Sequence, residues 1–212
     1  GWEGEGVSND PAQGQLCTEQ LAFFGLSSGN VNFGGENTGG DYSRGITTPG
    51  VTTGGLYALP YNGGADTALY FQPTGSDFSP GGFIVKACNE TGSAQNRFSI
   101  GYDFLKYNDQ DRSMVIEVEV SNDNIAYLSV PQLADTIDQP ADVPASIEIS
   151  QLLFDSIDIT VDTNQCLFVR FTVDDFTGGG SRPEMGFDNI TIEPVSSLAA
   201  RDVAISDCVQ DS

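Results

Sequence analysis

The feature that most limits how this chain can fold is a period of two. Over residues 98–104, Phe98, Ile100, Tyr102 and Phe104 fall on one side of an extended chain. Over residues 114–120, Met114, Ile116, Val118 and Val120 share one side, while Glu117 and Glu119 take the other. Ile157, Ile159 and Val161 repeat the pattern against Asp158 and Thr160, and Leu167, Val169, Phe171 and Val173 repeat it against Arg170 and Thr172. Successive side chains of a strand point to opposite faces, so each run buries one face and wets the other. No segment carries the apolar period of a helix. Gly, Thr, Ser, Asn and Asp punctuate the chain instead, and further strands are expected at 55–59, 68–72, 82–88, 125–130 and 146–149. About ten strands predict an all-β fold, two antiparallel sheets packed as a jelly-roll β-sandwich.

The 212 residues suit one domain, 1–212, with a Gly- and Asn-rich N-terminal extension (1–40) and a C-terminal extension (195–212). The tail holds a possible strand over 202–206, and residues 133–144, with three acids and two prolines, read as a long loop. Met185 and Phe187 have odd parity, whereas Ile190 and Ile192 have even parity. One strand buries both sets only if its register shifts, and a β-bulge at Asp188 and Asn189 would do that. Alternatively, Met185 and Phe187 precede the strand in a loop.

Charge and missing residue types exclude several functions. Eight basic residues against 30 acidic ones give a net charge of −22, and only Lys86 and Lys106 are lysines. Such a surface repels nucleic acid and anionic membrane, and favours divalent cations, basic partners or a salty medium. Histidine is absent, which removes Ser-His-Asp triads, Cys-His pairs and His-ligated zinc. Cys17, Cys88, Cys166 and Cys208 form no CxxC pattern. They are expected as two disulfides in an oxidising compartment, in any of three pairings, with buried free thiols as the alternative. The chain opens at Gly1 without a charged and apolar leader and has no apolar run of membrane length, so an exported, soluble, extracellular or cell-surface protein is expected. Asn89 and Asn189 each begin an N-x-T triplet and are glycosylation candidates.

Oxygen-rich turns supply the candidate metal ligands. Asn108, Asp109 and Asp111 crowd the turn after the 98–104 strand, without EF-hand spacing. Calcium draws six to eight oxygens from such loops, but an ordinary Asn/Asp turn uses the same residues. Asp174, Asp175, Glu184 and Asp188 flank the loop Gly178-Gly179-Gly180-Ser181, and glycine lets carboxylates converge there. The alternative is that Asp174 and Asp175 cap a hairpin and Arg182 pairs with one of them. Glu117 and Glu119 sit on one strand face like the acids of a sandwich glucanase, but the run Glu117-Val-Glu119-Val-Ser-Asn-Asp123 departs from the Glu-x-Asp-x-(x)-Glu pattern. A solvated strand face is the ordinary reading of such a pair. Trp2, Tyr42, Tyr57, Tyr61, Tyr107 and Tyr127 are candidates for stacking on sugar rings, or for packing.

Several stretches resemble one another's setting in a single known family. Thr67-Ala-Leu-Tyr-Phe-Gln-Pro-Thr-Gly-Ser-Asp-Phe-Ser-Pro-Gly81, Cys88-Asn-Glu-Thr-Gly92, Ser99-Ile-Gly-Tyr-Asp-Phe104, Tyr107-Asn-Asp-Gln-Asp-Arg-Ser113, Gly179-Gly-Ser-Arg-Pro-Glu184 and Phe187-Asp-Asn-Ile190 are similar to a jelly-roll accessory domain of large secreted bacterial proteins. The resemblance covers about residues 40–194. It implies a fold like that of carbohydrate-binding modules and an extracellular setting. The family more often has acids where Pro183 and Asn189 stand here. No sorting or enzyme domain accompanies the resemblance, so the expectation is a non-catalytic subunit that assembles with copies of itself into a calcium-stabilised extracellular filament, tube or surface layer. The alternatives are a carbohydrate-binding or adhesion module with an extracellular glycan as partner, and a glycoside hydrolase using Glu117 and Glu119. Neither nucleic acid nor membrane insertion is expected.

Overall fold

A computed structural model describes residues 1–195. Its strands, in chain order, are β1 (Val7–Ser8), β2 (Leu16–Cys17), β3 (Leu21–Phe24), β4 (Gly55–Tyr61), β5 (Asp66–Gln72), β6 (Gly81–Cys88) and β7 (Gln95–Tyr107). They continue with β8 (Arg112–Ser121), β9 (Leu128–Ser129), β10 (Asp135–Ile137), β11 (Ile147–Val161), β12 (Cys166–Gly178) and β13 (Glu184–Pro194). The C-terminal extension beyond Val195, with its expected strand and Cys208, lies outside the described residues.

The first sheet has the order β10-β8-β12-β6-β3, with β9 beside β8, and the second has the order β11-β7-β13-β5-β4. All pairings within both are antiparallel. From β5 to β8 each successive strand changes sheet, and β11, β12 and β13 do so again. That crossing pattern makes a jelly-roll sandwich, as the period-two runs predict.

The runs 98–104, 114–120 and 167–173 all turn their apolar sides into one core. Phe83 and Phe171 stack with centroids 4.7 Å apart, and Phe187 meets Phe71 edge-on at 5.3 Å. Fully burying each such side chain stabilises the fold by about 1.5–3 kcal/mol. The phenol tip of core Tyr102 needs a partner, and it donates to Leu133 O at 2.6 Å.

The shift expected near Asp188 is present. β13 pairs with β7 in one register up to Asp188 and in another from Thr191, with Asn189 at φ 49°. Met185, Phe187 and Ile192 therefore all reach the core.

Three strand expectations change. Residues 125–130 shrink to β9, because Asp123 Oδ1 accepts Ile125 N–H and Ala126 N–H and so holds that stretch in a turn. The 133–144 loop contains β10, which pairs with β8. Residues 146–149 and 157–161 belong to one strand, β11, whose register shift against β7 between Phe154 and Ile157 moves the inward parity from Leu152 and Phe154 to Ile157 and Val161.

Cys88 and Cys166 face each other across β6 and β12 and form a disulfide. No helix among the described residues is long and apolar enough to cross a membrane.

Candidate functional site

Each sheet turns its second face away from the core, and these two faces hold the candidate chemistry. On the second sheet, Glu184 and Gly186 alternate with the core residues Met185 and Phe187 and so point outward. Their ladder partners are Tyr107 and Leu105 on β7, and Gly186 also faces Tyr70 on β5. A Cβ at position 186 would lie 3.0 Å from Tyr70 Cδ2 and 3.2 Å from Leu105 Cβ, so the glycine makes room for the Tyr70 ring. Tyr57, Leu59, Tyr61, Ala68, Tyr70 and Leu105 pack here as a second buried cluster.

Residues 45–53 cover this cluster. Gly45 and Thr47 hydrogen-bond to Ala58 on edge strand β4, whereas Gly50 N–H reaches Glu184 Oε2 at 2.8 Å with β5 in between. The segment therefore crosses the outer face of the sheet. Tyr57 OH donates to Thr53 O and fixes its far end. Glu184 is fully buried, and Tyr70 OH also donates to its Oε2, at 2.6 Å. Burial pushes the Glu184 carboxyl above the usual carboxylate range, and the charge of Asp109 pushes the same way.

A partly exposed polar row lies beside the cover. Asp103 accepts from Gln151 Nε2 and Asn189 Nδ2. Tyr61 OH contacts Asp188 Oδ2 at 2.6 Å and Asp66 Oδ2 at 3.1 Å. One hydroxyl hydrogen serves only one carboxylate at a time. Burial raises the Asp188 pKa, and Asp66 raises it further against the lowering effect of the Tyr61 and Asn189 hydrogen bonds.

The first sheet is different. Phe168, Arg170 and Thr172 point outward from β12, opposite Ser121, Glu119 and Glu117 on β8 and Lys86, Ile84 and Gly82 on β6. Arg170 Nε and Nη2 both donate to Glu119 Oε2, at 2.8 and 2.6 Å. The guanidinium lies over the Tyr127 ring, 3.8 Å from its centroid. Phe33 packs against Phe168 at 5.8 Å, and Lys86 sits 5.0 Å over the Phe33 ring. Phe33, Lys86, Glu119, Tyr127, Phe168 and Arg170 are all partly exposed, and no segment comparable to 45–53 is hydrogen-bonded across them among the described residues.

The structure separates the candidate metal ligands. Asp174 and Asp175 lie on β12 in the first sheet, while Glu184 and Asp188 lie on the outer face of the second, so the four do not converge. Asp175 instead takes both Arg112 and Arg182, the ion-pair alternative weighed from the sequence. Asn108 Nδ2 donates to Asp138 O and Pro140 O, and Asp111 accepts Ala141 N–H, as turn residues do. Among the described residues no three Cys, Asp or Glu side chains gather as a metal cluster. Glu184 faces Tyr107 across the β13–β7 ladder, two residues before Asp109, another sequence candidate whose charge acts on Glu184.

Other candidates also resolve. Glu117 and Glu119 do share an outer face, but Glu119 is engaged by Arg170. Tyr42, Tyr57 and Tyr61 are buried, Trp2 packs against the core and Tyr107 lies on β7 of the second sheet, which leaves Tyr127 as the sequence-suspected ring on the open face. Asn89 Nδ2, the atom that would carry a glycan, is buried and donates to Ser93 O and Val161 O, whereas Asn189 is exposed. Phe33 and Phe168 were not singled out from sequence. Parity alone places Phe168 outside with Arg170, but Phe33 comes from a loop with no period.

No known family and no curated protein matches the chain. Among solved structures, a CBM61 carbohydrate-binding module in complex with β-1,4-galactotriose is 13% identical with a TM-score of 0.40, over 65% of this chain and 80% of that one. A CBM28 carbohydrate-binding module specific for non-crystalline cellulose is 16% identical with a TM-score of 0.42, over 66% of this chain and 80% of its own. An exo-β-agarase is 13% identical with a TM-score of 0.36, over 68% of this chain and 22% of its own. At these scores the reading of the site rests on its residues.

Proposed function

We propose that the protein is an extracellular, non-catalytic glycan-binding module that holds its ligand on the outer face of the first sheet. The observation that carries this reading is the open row Phe33–Phe168–Arg170–Tyr127, in which rings at both ends flank a guanidinium fixed by Glu119. A sugar ring presents an apolar C–H face and a rim of hydroxyls. Partly exposed aromatic rings match the first, and an oriented Arg–Glu pair matches the second. Two Glu119 contacts leave further guanidinium N–H groups for hydroxyl oxygens. Phe168 and Arg170 lie two residues apart on one strand, about 6.6 Å, so the row accepts an extended chain rather than a single ring. The Cys88–Cys166 disulfide supports the extracellular setting.

Self-assembly takes second place. Its favourable feature is β11, a 15-residue edge strand with Leu153 70% exposed. Glu148, Asp155 and Asp158 on the same strand oppose its pairing with a second copy.

The test is retention of the wild-type protein on a panel of soluble and insoluble polysaccharides, with sedimentation velocity run in parallel. The proposal expects a monomer retained by at least one polysaccharide and released about tenfold or more by Phe168→Ala or Tyr127→Ala. Retention that survives both substitutions would place the ligand elsewhere, and a large polymer that binds no glycan would restore the assembly reading.

A further inference from the structure

We propose that Glu184 and Asp109 hold a hard divalent cation of the calcium class between them, at the end of the second sheet and beneath Gly50. Two enclosed oxygens carry the inference. Glu184 is 0% exposed, and while its Oε2 accepts from Gly50 and Tyr70, its Oε1 is enclosed and has no hydrogen-bond partner. Asp109 Oδ2 accepts from Gln110 Nε2, while Asp109 Oδ1 is likewise enclosed without a partner.

The fold makes these two carboxylates neighbours. Glu184 faces Tyr107 across the β13–β7 ladder. Asp109 follows two residues later, in a turn closed by its own N–H on Tyr107 O at 3.1 Å. The Asp109 charge bears on both Glu184 and Tyr70.

A carboxylate oxygen enclosed without a partner is costly unless something positive meets it. Among the described residues the side-chain cations on this part of the fold are committed elsewhere: Arg112 and Arg182 to Asp175, Lys106 to Asp135, and Arg44 to Asp41. A hard cation meets both orphan oxygens at once, and water fills the rest of its shell of six to eight oxygens. Asn108 has a free Oδ1 too, but its amide faces Asp138 and Pro140 and belongs to the neighbouring turn. The ion would also fasten the 45–53 cover, because Glu184 holds Gly50.

Terbium is a suitable probe, since Tyr70 and Tyr107 beside the site can sensitise its emission. The measurement is tyrosine-excited terbium luminescence of the full chain in about 0.15 M KCl, which screens exposed surface carboxylates. The expected result is emission that calcium competes away, that falls about tenfold or more in Glu184→Gln and in Asp109→Asn, and that persists in Asp174→Asn. Calcium at a hundredfold excess over its Kd should raise the melting temperature of the chelator-treated wild type by roughly 5–10 °C. Asp109→Asn keeps the test open should Glu184→Gln fail to fold. Emission unchanged in Asp109→Asn, or a melting temperature indifferent to calcium and chelator, would overturn the proposal and leave a shared proton as what joins the two acids.

Discussion

The two outer faces are built from the same period-two strands, yet they end in opposite states. On the second sheet, Tyr57, Tyr61 and Tyr70 are less than 10% exposed; residues 45–53 cross the face, Tyr57 OH donates to Thr53 O within them, and Tyr70 and Gly50 are both pinned to buried Glu184. On the first sheet, Phe33, Phe168 and Tyr127 keep part of each ring in solvent, and the Arg170–Glu119 pair among them is partly exposed. Aromatic content therefore does not mark a binding face. What separates the faces is whether a loop is hydrogen-bonded across them. A crossed face holds the fold together, and an uncrossed one is free for a partner.

The sharpest way to break this comparison is to remove the pin. Glu184→Ala leaves Tyr70 OH and Gly50 N–H without an acceptor, and should cost about 2–4 kcal/mol in chemical denaturation, with hydrogen exchange rising at residues 45–53. Tyr70→Phe removes one of the same bonds and should cost about 1–2 kcal/mol. On the open face the pattern reverses. Arg170→Ala should change stability by less than about 1 kcal/mol, because its ion pair is partly exposed, while weakening glycan retention about tenfold. If Arg170→Ala destabilised the fold as much as Glu184→Ala, the distinction between the faces would fall.

The smallest expected effect is one of pH. Asp188 on β13 faces Tyr61 on β4, Asp66 on β5 and Asp103 on β7. Burial raises its pKa, so the native state holds this proton more tightly than the unfolded chain does. That contribution to stability is complete below about pH 4, the unfolded value, and is lost as pH rises through the native one. The melting temperature of the wild type minus that of Asp188→Asn should therefore fall between about pH 4 and neutrality. A flat difference would show that Asp188 titrates as it does in the unfolded chain.

The sandwich was legible because its signal is local. Parity along residues 98–104, 114–120 and 167–173 assigns the inward side, and the parity break after Phe187 locates the bulge. The sites were legible only in part, because they join residues far apart in the chain. Glu184 and Asp109 belong to two separate turns in the sequence, and only the β13–β7 ladder sets them side by side. The proposed convergence of Asp174 and Asp175 with Glu184 and Asp188 fails for the same reason, since the Gly-rich loop between them carries the chain from one sheet to the other. Tyr61 and Tyr127 look alike in sequence. Nothing local reveals that one lies beside the 45–53 cover and the other under an arginine.

The most direct measurement compares the faces in one binding experiment. Affinity electrophoresis through gels containing each soluble polysaccharide of a panel would include the wild type, the double variant Phe168→Ala/Tyr127→Ala and the double variant Gln151→Ala/Leu153→Ala. The account predicts retardation of the wild type and of the second-sheet variant in the same gel, with free mobility of the first-sheet variant. Retardation kept by Phe168→Ala/Tyr127→Ala and lost by Gln151→Ala/Leu153→Ala would contradict it.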